Sequence, residues 1–207
     1  MCTKPRLVIL GSSHATRLYN AIRENSQITE KFEVLSNTKP GATFETLKIN
    51  FGLIYSLTPR DYLCIQFLGN DLLKRYIKIT KNPKVIHLEK FIPQSNKNVH
   101  EKRESLRNFL SIVQAKIYII DDPLRHVNCC SVHNHPGLMS YLHKRNKELK
   151  QYFGNSYEVL DHRKLINEPF RKLKCIFHYK KILVDAVHLR PEYYQQWAQA
   201  IFLLISK

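Results

Sequence analysis

The sequence predicts an α/β protein, with a parallel sheet of five strands covered by helices on both faces. Two observations carry that expectation. Short apolar runs recur along the chain, each bounded by turn-forming residues and too short for a helix. Between them, apolar residues return at the spacing of one helix face. The 207 residues suit a single domain, 1–207, with a sizeable core. No internal repeat or low-complexity linker interrupts it.

The elements follow in order. Arg6 to Leu10 is an apolar run stopped by Gly11, hence a buried strand. From His14 to Asn25, Ala15, Leu18, Tyr19 and Ile22 fall at helical spacing. Phe32 to Leu35 reads as a second strand, and Ser36 to Gly41 is rich in turn residues. Thr43 to Tyr55 returns to a helical period, and Asp61 to Leu68 is a third apolar run. Lys74 to Lys102 is basic and irregular, with Pro83 and Pro93 as breakers. His100 to Val113 reads as a helix, and Lys116 to Ile120 as a fourth strand ended by Asp121-Asp122-Pro123. Leu138 to Phe153 reads as a helix with Leu142, Leu149, Tyr152 and Phe153 on its apolar side. Tyr157 to Leu160 is a fifth strand. Pro191 to Ile205 is the last helix, with proline at its first turn, where a missing N–H does no harm.

Parallel sheets bind ligands at the carboxyl ends of their strands. Gly11-Ser12-Ser13-His14 follows the first strand, Lys39-Pro40-Gly41-Ala42 the second and Gly69-Asn70-Asp71 the third. These blocks therefore converge on one sheet edge, and Asp185-Ala186-Val187-His188 precedes the last helix. Together they hold the parts for acyl transfer through a serine ester. Ser13 at a strand-to-helix turn can attack a carbonyl and offer its backbone N–H to the oxyanion; alternatively Ser12 or Ser13 only caps the helix. His188 is the candidate general base, because imidazole titrates near neutrality. Asp185 can accept from its other ring nitrogen and hold the tautomer. Gly41 offers an N–H with no side chain in the way, or is simply a Pro-Gly turn. Asn70 offers a side-chain amide, or caps a helix beginning near Asp71.

The pattern of these blocks resembles the SGNH hydrolases, also called GDSL-type esterases. The resemblance runs from Leu7 to Trp197 and includes the stretch from Asp185 to Tyr193, similar to the family's final block. It implies a three-layer α/β/α, flavodoxin-like sandwich with a five-stranded parallel sheet. It also implies a triad of Ser13, His188 and Asp185, and an oxyanion hole of Ser13, Gly41 and Asn70. No cofactor is implied. One departure is that Ser12 stands where the family usually has Asp, which alters the hydrogen bonding expected around the turn. More weakly, these blocks also resemble the esterase domains of some animal non-LTR retrotransposons and related animal genes.

Composition bounds the rest. A net charge of +16, from 33 Lys and Arg against 17 Asp and Glu, favours anionic partners, whether nucleic acid, an acidic membrane surface or an acidic substrate, or is simply a solvated basic surface. The basic runs lie at Lys74, Arg75, Lys78, Lys81 and Lys84, and at Arg171, Lys172, Lys174, Lys180 and Lys181. The second run carries Phe170, Phe177 and Tyr179 between its cations, residues that could stack on bases or sit in the core. A binding module with this fold, holding nucleic acid or anionic lipid with little catalysis, is thus the rival to an esterase. Five cysteines are an odd number, with Cys129 and Cys130 adjacent and Cys64 in an apolar run. No disulfide framework follows, which favours a reducing, cytoplasmic compartment. His126, Cys129, Cys130, His133 and His135 match no standard zinc spacing and read as a loop rimming the site, so no metal is expected. Arg125 in that loop is a candidate contact for the substrate. The ester itself and the oligomeric state are left open by the sequence.

Overall fold

The computed structural model of the chain describes residues 4–66, 68–78, 88–123, 128–129, 132–134, 138–166 and 188–207. Its strands are β1 (Arg6–Gly11), β2 (Glu33–Thr38), β3 (Tyr62–Gln66), β4 (Leu73–Lys78), β5 (Leu88–Pro93), β6 (Lys116–Ile120), β7 (Asn128–Cys129), β8 (Val132–Asn134) and β9 (Glu158–Leu160). Its helices are α1 (Ser13–Arg23), α2 (Ser26–Lys31), α3 (Phe51–Tyr55), α4 (Leu68–Leu72), α5 (Asn96–Leu110), α6 (Leu138–Phe153) and α7 (Pro191–Ile205).

The main sheet has five strands in the order β2-β1-β3-β6-β9, all parallel. The three central strands are buried on both faces, which is why they read as unbroken apolar runs. Their side chains alternate between two cores. Leu7, Ile9, Cys64, Tyr118 and Ile120 pack with α1, α2 and α7. Val8, Leu10, Leu63, Ile65, Ile117 and Ile119 pack with α3, α5 and the end of α6. Helices therefore cover both faces, as the sequence predicts. Cys64 is buried, and burial pushes its thiol up to about 12, so it packs as a small hydrophobe.

Two stretches differ from the sequence expectation. Only Phe51–Tyr55 of the Thr43–Tyr55 segment is helix. Thr43 and Thr46 each take the other's backbone N–H on a side-chain oxygen, closing a local turn instead. Asn50 then caps α3 by accepting from the Leu53 N–H. The Lys74–Lys102 stretch, expected to be irregular, supplies β4 and β5. These join β7 and β8 in a second sheet of order β4-β5-β8-β7. Both insertions leave the main sheet beyond its carboxyl edge, after β3 and after β6. The following helix begins at Asn96 rather than His100, because Ser95 accepts from the Asn98 N–H as its cap.

The opposite edge of the sheet is held by Asp61. Its buried carboxylate accepts from the Arg6 N–H, the Arg6 guanidinium, the Thr58 N–H and the Thr58 hydroxyl, at 2.7–2.9 Å. Burial alone would raise its pKa, but these donors outweigh burial and bring it down to about 2. A depressed carboxylate stabilises the fold above its unfolded pKa, and that contribution disappears as pH falls through the folded value. Asp61→Asn should therefore cost about 1–3 kcal/mol at neutral pH, with the difference from the parent fading between about pH 4 and 2. Urea unfolding at both pH values checks it; equal stability of the two proteins at pH 7 would contradict this account.

Candidate active site

Gly11 turns the chain out of β1 with φ +152°, and the Ser12 N–H bonds the Gln66 carbonyl of β3 at 3.0 Å. Ser12 takes the N-cap position of α1, but its side chain makes no capping bond. Ser13 is then the first helical residue, so its own N–H has no carbonyl one turn back to bond. Of the two readings of this serine pair, the cap belongs to Ser12 by position only, and Ser13 is left at the mouth of the helix, half-buried.

His188 arrives from the far end of the chain, just before α7, and is also half-buried. Its Nε2 lies 2.9 Å from the Ser13 Oγ across 175 residues of sequence. With the ring proton on Nδ1, the hydroxyl donates to Nε2, the arrangement a general base requires. Asp185 lies outside the described residues, as do Arg125, His126, Cys130, His135, Lys81, Lys84 and the whole second basic run, while Lys74, Arg75 and Lys78 stand on β4. Cys129 and His133 sit on β7 and β8.

Gly41 follows β2 in a four-residue turn closed by the Ala42 N–H on the Lys39 carbonyl, at 3.1 Å. Proline at the second position and a glycine at φ +74° at the third are the pattern of a type II turn. A Cβ at Gly41 would meet nothing within 4 Å, so the conformation rather than crowding requires glycine here. The turn reading of Gly41 therefore describes its backbone, at an exposed position. Asn70 sits inside α4, not at its cap, and its Nδ2 donates to the Ala42 carbonyl at 3.1 Å. An amide nitrogen carries two N–H donors, and this bond uses one of them.

The neighbouring Asp71 has a part that no local sequence pattern signals. Its buried carboxylate accepts from the Phe44 N–H at 2.9 Å, tying the loop after Gly41 to α4. Burial raises its pKa to about 7, against the Phe44 bond and the Lys102 ammonium 3.9 Å away. Asn70 and Asp71 therefore lock the second and third blocks together. His14, next to Ser13, plays a matching part on the other side. It is buried, with Nδ1 2.6 Å from the Tyr194 hydroxyl of α7 and its ring centroid 5.2 Å from that of His188. It fastens the serine's helix to the helix that follows the histidine. Both residues stand within the sequence blocks, but a local pattern cannot show that a buried partner waits on another element.

An imidazole–carboxylate pair lies further along the same edge. His162, after β9, is buried, and its Nδ1 and backbone N both lie 2.6 Å from Asp121 Oδ1 at the end of β6. Burial pulls its pKa down, but Asp121 and Asp161 outweigh burial and hold it above the ordinary value. Asp121, Asp161 and His162 could gather round a cation, their ligand atoms lying within 4.8 Å of one another. However, Asp161 is gripped at both oxygens by Arg163, at 2.9 and 2.7 Å, and His162 already holds Asp121. The group is an ion-pair cluster, and it lacks a nucleophile.

No family model and no curated protein matches this sequence. Solved structures do. A variant of an acetyl-xylooligosaccharide esterase from Geobacillus superposes with a TM-score of 0.62 at 13% identity, over 100% of this chain and 97% of that one. A GDSL-like lipase from Bacteroides thetaiotaomicron gives 0.58 at 12% identity, over 99% and 92%. The chain spans 56% of the length of a Bacillus subtilis protein, with 99% of its own residues covered, a TM-score of 0.57 and 14% identity. At these identities the likeness is one of fold. The chain has the fold of the GDSL-type, or SGNH, esterases and acylhydrolases.

Proposed function

We propose that this protein is a serine esterase acting on an acyl or acetyl ester. Ser13 Oγ attacks the ester carbonyl while His188 Nε2 takes its proton. The oxyanion of the tetrahedral intermediate accepts from the Ser13 and Gly41 N–H groups and the Asn70 amide. On collapse the ester C–O bond breaks, and His188 returns the proton to the leaving alkoxide. A water, deprotonated by His188, then attacks the acyl-enzyme carbonyl and regenerates Ser13. Asp185, three residues before His188, is the carboxylate assigned to the imidazole's other nitrogen. No cofactor enters any step.

The observation that carries this reading is the 2.9 Å approach of Ser13 to His188. The esterase and lipase that share the fold support a carboxylic ester as substrate. The net charge of +16 favours a second role, binding nucleic acid or anionic lipid on the basic surface, as in a retrotransposon-type module. No helix among the described residues is long and apolar enough to cross a membrane.

A fluorophosphonate probe tests the nucleophile. One adduct is expected, on the peptide carrying Ser13, and a series of nitrophenyl esters of rising chain length then reads the acyl preference. Absence of an adduct, or an adduct on another serine, would refute the assignment.

A further inference from the structure

We propose that the cleft between α6 and the loop after β9 binds the phosphate group of an anionic ligand, at a site separate from Ser13. The cleft encloses about 490 Å³, within the range of small-molecule sites. Its first wall is one face of α6. His143, Lys147 and Lys150 stand there at successive turns, spaced four and three residues apart. Its opposite wall is the loop carrying Arg163 and Lys164, and Asp121, Asp161 and His162 form the carboxyl-edge floor.

Charge decides what such a cleft can hold. The lining has four permanent cations against two carboxylates, before either histidine is counted. Both carboxylates are already engaged, Asp121 by His162 and Asp161 by Arg163. Among the described residues, Lys147, Lys150 and Lys164 make no ion pair. Three ammonium groups thus border one concave space from two sides, uncompensated. A metal ion meets repulsion there, and a neutral ligand gains nothing from the lysines. A phosphate has charge enough to neutralise several of them and oxygens enough to accept from both walls.

The place in the fold separates this cleft from the proposed catalytic site. Successive strands of the sheet lie about 4.8 Å apart, so the ends of β6 and β9 are roughly 10–15 Å along the edge from the end of β1. Between them the buried side chains of Gln66 and Asp122 fill the edge, joined by a 3.2 Å hydrogen bond. Asp122 is in turn pinned to Asn146 of α6 through its N–H and its carbonyl. Binding in the cleft therefore requires neither Ser13 nor His188, and the proposal stands whether or not the esterase reading does.

The test uses the full chain, isotope-labelled for NMR, at a fixed ionic strength of about 0.15 M. Inorganic phosphate is titrated first, then glycerol 3-phosphate, and then phosphatidylcholine vesicles containing phosphatidic acid. Saturable shifts confined to the amides of α6 and of the 161–164 loop are expected with at least one probe. Response to the two soluble probes assigns the site to a free phosphomonoester; response to vesicles alone assigns it to a lipid headgroup. The double variant K147Q/K150Q should weaken that binding about tenfold or more. Both lysines are exposed, so its thermal midpoint should match the parent's. Shifts scattered over the whole surface, shifts reproduced by an equal ionic strength of chloride, or binding untouched in the double variant would overturn the proposal.

Discussion

Ser13→Ala is expected to lower kcat for a short-chain nitrophenyl ester by about 10⁴-fold or more, with the fold intact. The size follows from the role, because the Ser13 hydroxyl lies within bonding reach of the His188 imidazole. The intact fold follows from the environment. Ser13 sits at the first position of α1, where alanine is an excellent helix former, and the cap position belongs to Ser12. The hydroxyl is bonded to His188, and Ser13 belongs to neither hydrophobic core. KM should move little, because the nucleophile adds almost nothing to ground-state binding. His188→Ala should cost about as much, and the double variant scarcely more than either, since the two groups act as one unit. Circular dichroism with steady-state kinetics checks all three. Turnover surviving in folded Ser13→Ala would place the chemistry elsewhere and leave the 2.9 Å contact as mere packing.

The blocks that fix this prediction were readable in the sequence for a physical reason. Chemistry at a sheet edge demands particular residue types immediately after particular strands, and β1, β2 and β3 announce themselves as apolar runs. Position after a strand is then enough to place Ser13, Gly41 and Asn70 at the carboxyl edge of the sheet. The ends of α6 and α7 were equally legible, because their apolar faces and the proline at Pro191 are local signals. The second sheet was not. β4 and β5 lie in a lysine-rich stretch, β4 pairs with β5 and β5 with β8 in a sheet separate from the main one, and no unbroken apolar run marks them. The helical spacing from Thr43 misled for the opposite reason, since threonine hydroxyls diverted the backbone into a turn. The links His14–Tyr194 and Asp121–His162 join residues 180 and 41 positions apart. Only the packed sheet brings such pairs together, and no spacing rule within one segment reaches them. Asp185 and Arg125, both named from sequence, lie outside the described residues.

Gly11→Ala should destabilise the protein by about 3–5 kcal/mol, a large part of the stability an ordinary domain possesses. Two causes act together. At φ +152° the backbone lies where an L side chain is strained, and a Cβ built there stands 2.0 Å from the Gln66 carbonyl oxygen and 2.9 Å from the Ala15 Cβ. Neither neighbour can yield cheaply. Gln66 is the last residue of β3 in register with Gly11, and Ala15 is packed in the core. Relief requires β1 and β3 to part at their carboxyl ends, which breaks the Ser12 N–H bond to Gln66 and swings Ser13 away from His188. Activity should therefore fall even in the fraction that remains folded. Gly41→Ala is the informative contrast. There the added methyl meets open space and only the positive φ opposes it, a cost of about 1–2 kcal/mol. Urea unfolding of the two variants side by side measures the difference. Equal losses would mean that the close approach of β1 to β3 is not what holds the nucleophile's turn in place.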